Sequence, residues 1–90
     1  MINQNLVLLK QVLKESGINK DLYSIGEYAE NAICVFYNGE QYEVFKCELD
    51  NKFDCRRYNS AKDAGFDIVK RLFTKKDRDV YLQKINNLIR

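Results

Sequence analysis

Two runs rich in β-branched and aromatic residues flank a single Asn-Gly pair: Ala32-Ile33-Cys34-Val35-Phe36-Tyr37 before Asn38-Gly39, and Gln41 to Glu48 after it. Asn-Gly in that setting is the strongest short-range hairpin signal, because a type I′ turn needs two residues with positive φ, a conformation that Asn and Gly tolerate. The first run is apolar enough to be buried on much of both faces. A second turn is expected at Asp50-Asn51-Lys52, leading to a strand from Phe53 to Tyr58. Leu22-Tyr23-Ser24-Ile25, stopped by Gly26, reads as a shorter strand. Together these runs predict an antiparallel meander of three to four strands.

Helical periodicity brackets the meander. Ile2, Leu6, Leu9 and Leu13, with Val7 and Val12, recur at helical spacing, with Asn3 or Asn5 as the cap and Gly17 as the left-handed stop. After Tyr58, Ser60 and Asp63 resemble a capping box, and Ala61, Ala64, Gly65, Ile68, Val69, Leu72 and Phe73 form one apolar stripe. Gly65 inside that stripe predicts a close helix–sheet approach, at about 1 kcal/mol of lost helix propensity. Thr74 and Asp77 repeat the start signal before a last helix carrying Val80, Tyr81, Leu82, Ile85, Leu88 and Ile89. The predicted fold is α+β: an N-terminal helix, the meander, and two C-terminal helices packed on one sheet face. The other face would be open, and an open antiparallel face is normally polar. Ninety residues make one domain, 1–90, with room for one modest core.

Catalytic types are scarce. There is no histidine, which excludes triads and histidine–metal sites, and no glycine loop that would cradle phosphate. Cys34, Cys47 and Cys55 are odd in number and lack Cys-x-x-Cys spacing, so they read as reduced thiols, not as a disulfide framework or a zinc site. A carboxylate pair drawn from Glu43, Glu48 and Asp54 is compatible with the register, but a solvated sheet face is the plainer explanation. The expectation is a protein that is not an enzyme and needs no cofactor or metal. The N-terminus lacks a basic region followed by a long apolar run, which argues against a signal peptide, and no apolar stretch approaches the ~20 residues of a membrane span. The expected location is cytoplasmic, with no membrane partner.

Charge is distributed unevenly. Residues 27–54 carry seven acids against two bases, a net −5, while residues 55–90 carry ten bases against four acids, a net +6. Acids on a rigid hairpin sheet suit a basic protein partner, since complementary charge speeds encounter and selects the partner. The candidate contact residues are Glu40, Glu43, Glu48, Asp50 and Asp54, with Tyr37 and Tyr42 beside the first turn as aromatic anchors. The alternative is a small RNA- or DNA-binding module using the basic helix junction near residues 70–78, where Lys70, Arg71, Lys75, Lys76 and Arg78 cluster. The acidic sheet would repel phosphate, which weighs against nucleic acid. A third option is dimerisation through the apolar positions of the last helix.

Tyr23-Ser24-Ile25-Gly26, Glu30-Asn31-Ala32-Ile33-Cys34-Val35, Tyr42-Glu43-Val44-Phe45, Glu48, Tyr58 and Ala64 together resemble a class of small bacterial immunity proteins encoded beside polymorphic and contact-dependent growth-inhibition (CDI) toxins. The resemblance spans about residues 22–73. Its pattern has Trp where Tyr42 stands, Arg-Gly where Leu49-Asp50 stands, and Phe where Tyr58 stands. What the resemblance implies is a cytoplasmic protein that binds and blocks the C-terminal domain of one cognate toxin, often a nuclease. That expectation agrees with the acidic sheet, because nuclease active sites are typically basic.

Overall fold

The structure is a computed structural model that describes residues 3–89. It contains helix α1 (Gln4–Glu15), a 3-10 turn (Lys20–Leu22), strands β1 (Tyr23–Ile25), β2 (Ile33–Tyr37), β3 (Tyr42–Glu48) and β4 (Asn51–Tyr58), and helices α2 (Ala61–Leu72) and α3 (Lys75–Leu88). The class is α+β, with all three helices on one face of a four-stranded sheet of order β1-β2-β3-β4.

The sheet is mixed, which corrects the expectation of an all-antiparallel meander. β3 is antiparallel to both β2 and β4, but β1 pairs parallel with β2, Ser24 opposite Cys34. The seven residues between β1 and β2 make this possible by crossing the sheet face instead of turning tightly.

Neither hairpin turn takes the form expected of it. At the first, Gly39 has φ 100° but Asn38 does not have positive φ. The Asn38 amide donates to the Gln41 carbonyl at 3.0 Å, and its side-chain Oδ1 accepts from the amides of Glu40 and Gln41 at 2.9 and 2.8 Å. Asn38 therefore acts through its side chain, as an Asx turn, and does not occupy a left-handed position. At the second turn Leu49 and Asp50 both have positive φ, 52° and 63°, and Glu48 pairs with Asn51. The two-residue type I′ loop is thus Leu49-Asp50, not Asp50-Asn51-Lys52, and it forms without glycine.

The core lies between the helices and the sheet. Leu9, Val12 and Leu13 of α1, Ile25, Val35, Tyr42 and Val44 of the strands, Ala61, Ala64, Ile68 and Val69 of α2, and Ile85 and Ile89 at the end of the chain form one buried cluster. Asn3 caps α1, its Oδ1 accepting from the Leu6 amide at 3.2 Å, and Ser60 caps α2, accepting from the Asp63 amide at 3.1 Å. Thr74 occupies the same position before α3 but makes no side-chain cap bond. Ile2, expected in the α1 stripe, lies outside the described residues, and Val7 faces solvent. In the last helix Val80 and Leu88 are exposed, while Tyr81 stacks on Phe73 with ring centroids 4.3 Å apart. Gly65 serves a helix–helix contact rather than the expected helix–sheet one: a Cβ there would lie 2.9 Å from Ile85 Cγ2 and 3.5 Å from Leu9 Cδ1.

The second sheet face is not the polar surface expected. Ala32, Cys34, Phe45 and Cys47 are buried on it, with Ala29 and Phe36 against them. The segment between β1 and β2 forms a strap over this cluster. Tyr28 meets Phe36 edge-on at 4.5 Å, and its ring is 5.7 Å from Phe45.

Candidate functional site

The strap is tied to the β3 edge of the second turn. The Asn31 amide donates to the Cys47 carbonyl at 2.8 Å, and the Cys47 amide to the Ala32 carbonyl at 3.0 Å. The Glu30 carboxylate accepts a hydrogen bond from the Leu49 amide. That bond satisfies a donor inside the strained turn, so the turn is held from outside as well as by its own ladder. A bulky residue at positive φ is a genuine outlier costing about 1 kcal/mol. The strain does not bury the side chain: Leu49 is 79% exposed.

The residues proposed from the sequence fall in four places. Tyr37 and Glu40 are exposed at the first turn, where the Tyr37 hydroxyl donates to the Gly39 carbonyl at 3.0 Å. Glu48 and Asp50 are exposed at the second turn, about 20 Å away along the seven residues of β3. Between them, Tyr42 and Glu43 are only 7% and 8% exposed. Tyr42 is a core residue whose hydroxyl accepts from Asn3 Nδ2 at 3.0 Å. Its ring lies 4.7 Å from that of Tyr37, so only Tyr37 of that pair presents aromatic surface. Asp54 is exposed within a β-bulge. The acids therefore do not form one continuous face.

Glu43 is spent internally. Its Oε1 lies 3.4 Å from Lys52 Nζ and 3.7 Å from Arg57 Nε, and Asn38 Nδ2 donates to its Oε2 at 3.4 Å. Burial alone would raise the Glu43 carboxyl, but Lys52, Arg57 and Asn38 outweigh it and hold the group below its ordinary value. Burial likewise works against the Lys52 ammonium, and its hydrogen bonds and charge interactions with Tyr28 and Glu43 raise its pKa on balance. Lys52 also lies 4.8 Å above the Phe45 ring, so one cation closes the strap, the aromatic cluster and the buried carboxylate together. A charge reversal at Glu43 would disrupt this arrangement, which makes it unsuitable as a docking carboxylate.

Among the described residues the ion-paired carboxylates are those of Glu43 and Asp67, leaving Glu30, Glu48 and Asp50 without a cation. Glu30 and Asp50 lie on the strap side of the turn with the exposed Tyr28, whereas Glu48, next to Cys47 in β3, points to the opposite face. Tyr28, Glu30, Cys47 and Asp50 line a pocket of about 370 Å³ on the strap side. Tyr28, Glu30 and Leu49 were not among the residues anticipated, because nothing local in the sequence says that the strap folds back against the second turn.

The basic region is partly consumed by the fold. Arg71 pairs with Asp67 at 2.8 Å and donates from Nη2 to the Asp54 carbonyl at 2.7 Å. Tyr58 donates to Asp67 Oδ2 at 2.5 Å. Burial first and then that hydrogen bond keep the phenol protonated. Arg78 Nη2 donates to the Lys70 and Phe73 carbonyls at 3.0 and 3.4 Å, closing the end of α2. Both arginines of the helix junction thus hold backbone, while Lys70, Lys75 and Lys76 have no carboxylate within ion-pair distance among the described residues. The Asp67–Arg71 spacing of four residues was a legible signal for the first of these contacts.

All three cysteines are free, Cys34 and Cys47 buried and Cys55 exposed. Burial pushes each thiol up, with Glu43 adding to the effect at Cys55, so none is poised as a thiolate. No group of three or more metal-binding side chains occurs among the described residues. No helix among them is long and apolar enough to cross a membrane.

Comparison with known proteins finds no matching family model, no matching curated protein and no matching solved structure.

Proposed function

We propose that this chain is an immunity protein that binds and neutralises the C-terminal domain of one cognate bacterial toxin, and that the second hairpin turn leads the contact. The observation that carries this reading is the composition of the turn: an exposed leucine held at positive φ, with the exposed Tyr28 and the carboxylates of Glu30 and Asp50, neither ion-paired, on its strap side. Apolar anchors ringed by charge are the usual anatomy of a binding hot spot. The acids suit a basic surface such as the active-site region of a nuclease. Because the turn is fixed by the β3–β4 ladder and by Glu30, docking orders little that is not already ordered, which favours affinity. The mechanism is stoichiometric occlusion without chemistry on the toxin or any cofactor, in the cytoplasm where the toxin acts.

The test is growth rescue. The C-terminal domain of the protein encoded immediately upstream is expressed with and without this chain, and the tagged chain is recovered. Relief of toxicity with a one-to-one complex is the expected result. The double variant Leu49→Gly with Asp50→Lys, checked for an unchanged circular dichroism spectrum, should lose at least tenfold in affinity. Toxicity with neither rescue nor complex would overturn the immunity reading for that neighbour. Full rescue by the double variant would move the contact away from the second turn.

A further inference from the structure

A separate cleft opens on the helix-covered side of the sheet, where β4 and the end of α2 diverge. Its volume is about 500 Å³, and Ile33, Lys46, Asp54, Arg56, Asp67, Lys70 and Arg71 line it. Three elements supply its cations: Lys46 from β3, Arg56 from β4, and Lys70 with Arg71 from α2.

The β-bulge shapes this site. Val44 pairs with Arg56 and Lys46 with Phe53, so one residue of β3, Phe45, faces two of β4, Asp54 and Cys55. The extra residue leaves the Asp54 carbonyl outside the regular ladder, and Arg71 takes it up. Arg71 is thereby fixed from two sides, by that carbonyl and by Asp67. Its charge is balanced by Asp67, so it contributes orientation more than field. The field comes from Lys46, Arg56 and Lys70, none of which has a carboxylate within ion-pair distance among the described residues. Asp54 is the one unpaired acid in the lining, and the cleft as a whole is left with a net charge of +2. Lys46, Arg56 and Lys70 are exposed and share one concavity, so an anion entering it meets three cations from three elements at once.

We propose that this cleft binds a phosphate dianion. A compact doubly charged tetrahedral anion matches the net charge and can accept from several donors at once, as a carboxylate cannot to the same degree. The volume leaves room for an organic remainder, so the phosphate can be inorganic or a monoester. The site is distinct from the second-turn surface and does not depend on the immunity reading.

Amide chemical shifts of the 15N-labelled chain, followed at pH 7.5 and constant ionic strength, provide the test. Inorganic phosphate should give saturable shifts confined to the surroundings of Ile33, Lys46, Arg56 and Lys70, with Kd on the order of 1 mM. Lys46→Met with Lys70→Met should weaken binding at least tenfold, as should Arg56→Gln separately, each exposed position being checked for an unchanged native spectrum. Lys75→Ala with Lys76→Ala, outside the cleft, should leave binding unaltered. Tighter binding of adenosine 5′-monophosphate than of phosphate would support a monoester as the occupant, and equal binding would support the free anion. Non-saturating shifts, shifts spread over every lysine, or wild-type affinity in both cleft variants would overturn the proposal.

Discussion

The two faces of the sheet are built from alternate residues of the same strands, yet they are closed in different ways. Under the helices, Val35 and Val44 meet side chains from α1, α2 and α3, and the cover is continuous. On the opposite face, Cys34, Phe45 and Cys47 meet a seven-residue strap, one exposed tyrosine and the stem of Lys52. Burial on this sheet therefore does not require regular structure on both sides. An apolar face can be sealed by a loop when the loop's backbone groups find partners in the neighbouring strand, as Asn31 and Ala32 do with Cys47. It also places the strain-bearing turn and the carboxylates of Glu30 and Asp50 beside the strap.

Hollowing out each face gives the largest expected effect. Phe45→Ala and Ile68→Ala both remove side chains with 0% exposure, and each should cost about 3 kcal/mol in urea unfolding. If Phe45→Ala costs less than about 1 kcal/mol, the strap is loosely packed and the equivalence of the two faces fails.

A smaller effect is expected from Glu43→Gln, which removes the charge that Lys52 and Arg57 surround. The folded-state pKa of Glu43 is depressed below its ordinary 4.5. Its contribution to stability is therefore present above the unfolded value and lost as pH falls through the folded one. The variant should be less stable by about 1 kcal/mol at pH 7. The gap to wild type should close as the pH is lowered below 4.5 in a series of unfolding curves. A gap that persists undiminished in acid would mean that the carboxylate acts through shape and not through charge.

The smallest expected change in stability runs the other way. Leu49→Gly relieves a side chain at positive φ and should stabilise the fold by about 0.5 kcal/mol, measured as a raised unfolding midpoint. If the second turn is the docking element, the same substitution weakens partner binding. Stability and affinity moving in opposite directions would sharpen the distinction between the two regions, and a parallel change would erase it.

Much of this architecture is legible from the sequence because its signals are local. Helical periodicity, the caps at Asn3 and Ser60, and the β-branched run at Ile33–Tyr37 each act through neighbours within a few residues. Period-2 alternation likewise separates Val35 and Val44 from Cys34 and Phe45. The candidate surface was less legible. Tyr42 and Glu43 look like a surface aromatic and a surface acid, and only the arrival of Asn3, Lys52 and Arg57 buries them. Leu49 carries no turn signal at all, and its positive φ is imposed by strand pairing on both sides.

Local signals along the chain settle the class, the order of elements, and the charge asymmetry between the middle of the chain and its end. The tertiary structure alone decided that β1 joins in parallel, that the strap closes the second face, that Glu43 is neutralised while Glu30, Glu48 and Asp50 are not, and that Arg71 is committed to the bulge. The physical reason is range. Propensity, capping and periodicity are settled within one turn or one strand. Which charges meet, and which turn bears strain, depends on contacts between residues far apart in the chain, as with Glu30 and Leu49 or Asp54 and Arg71.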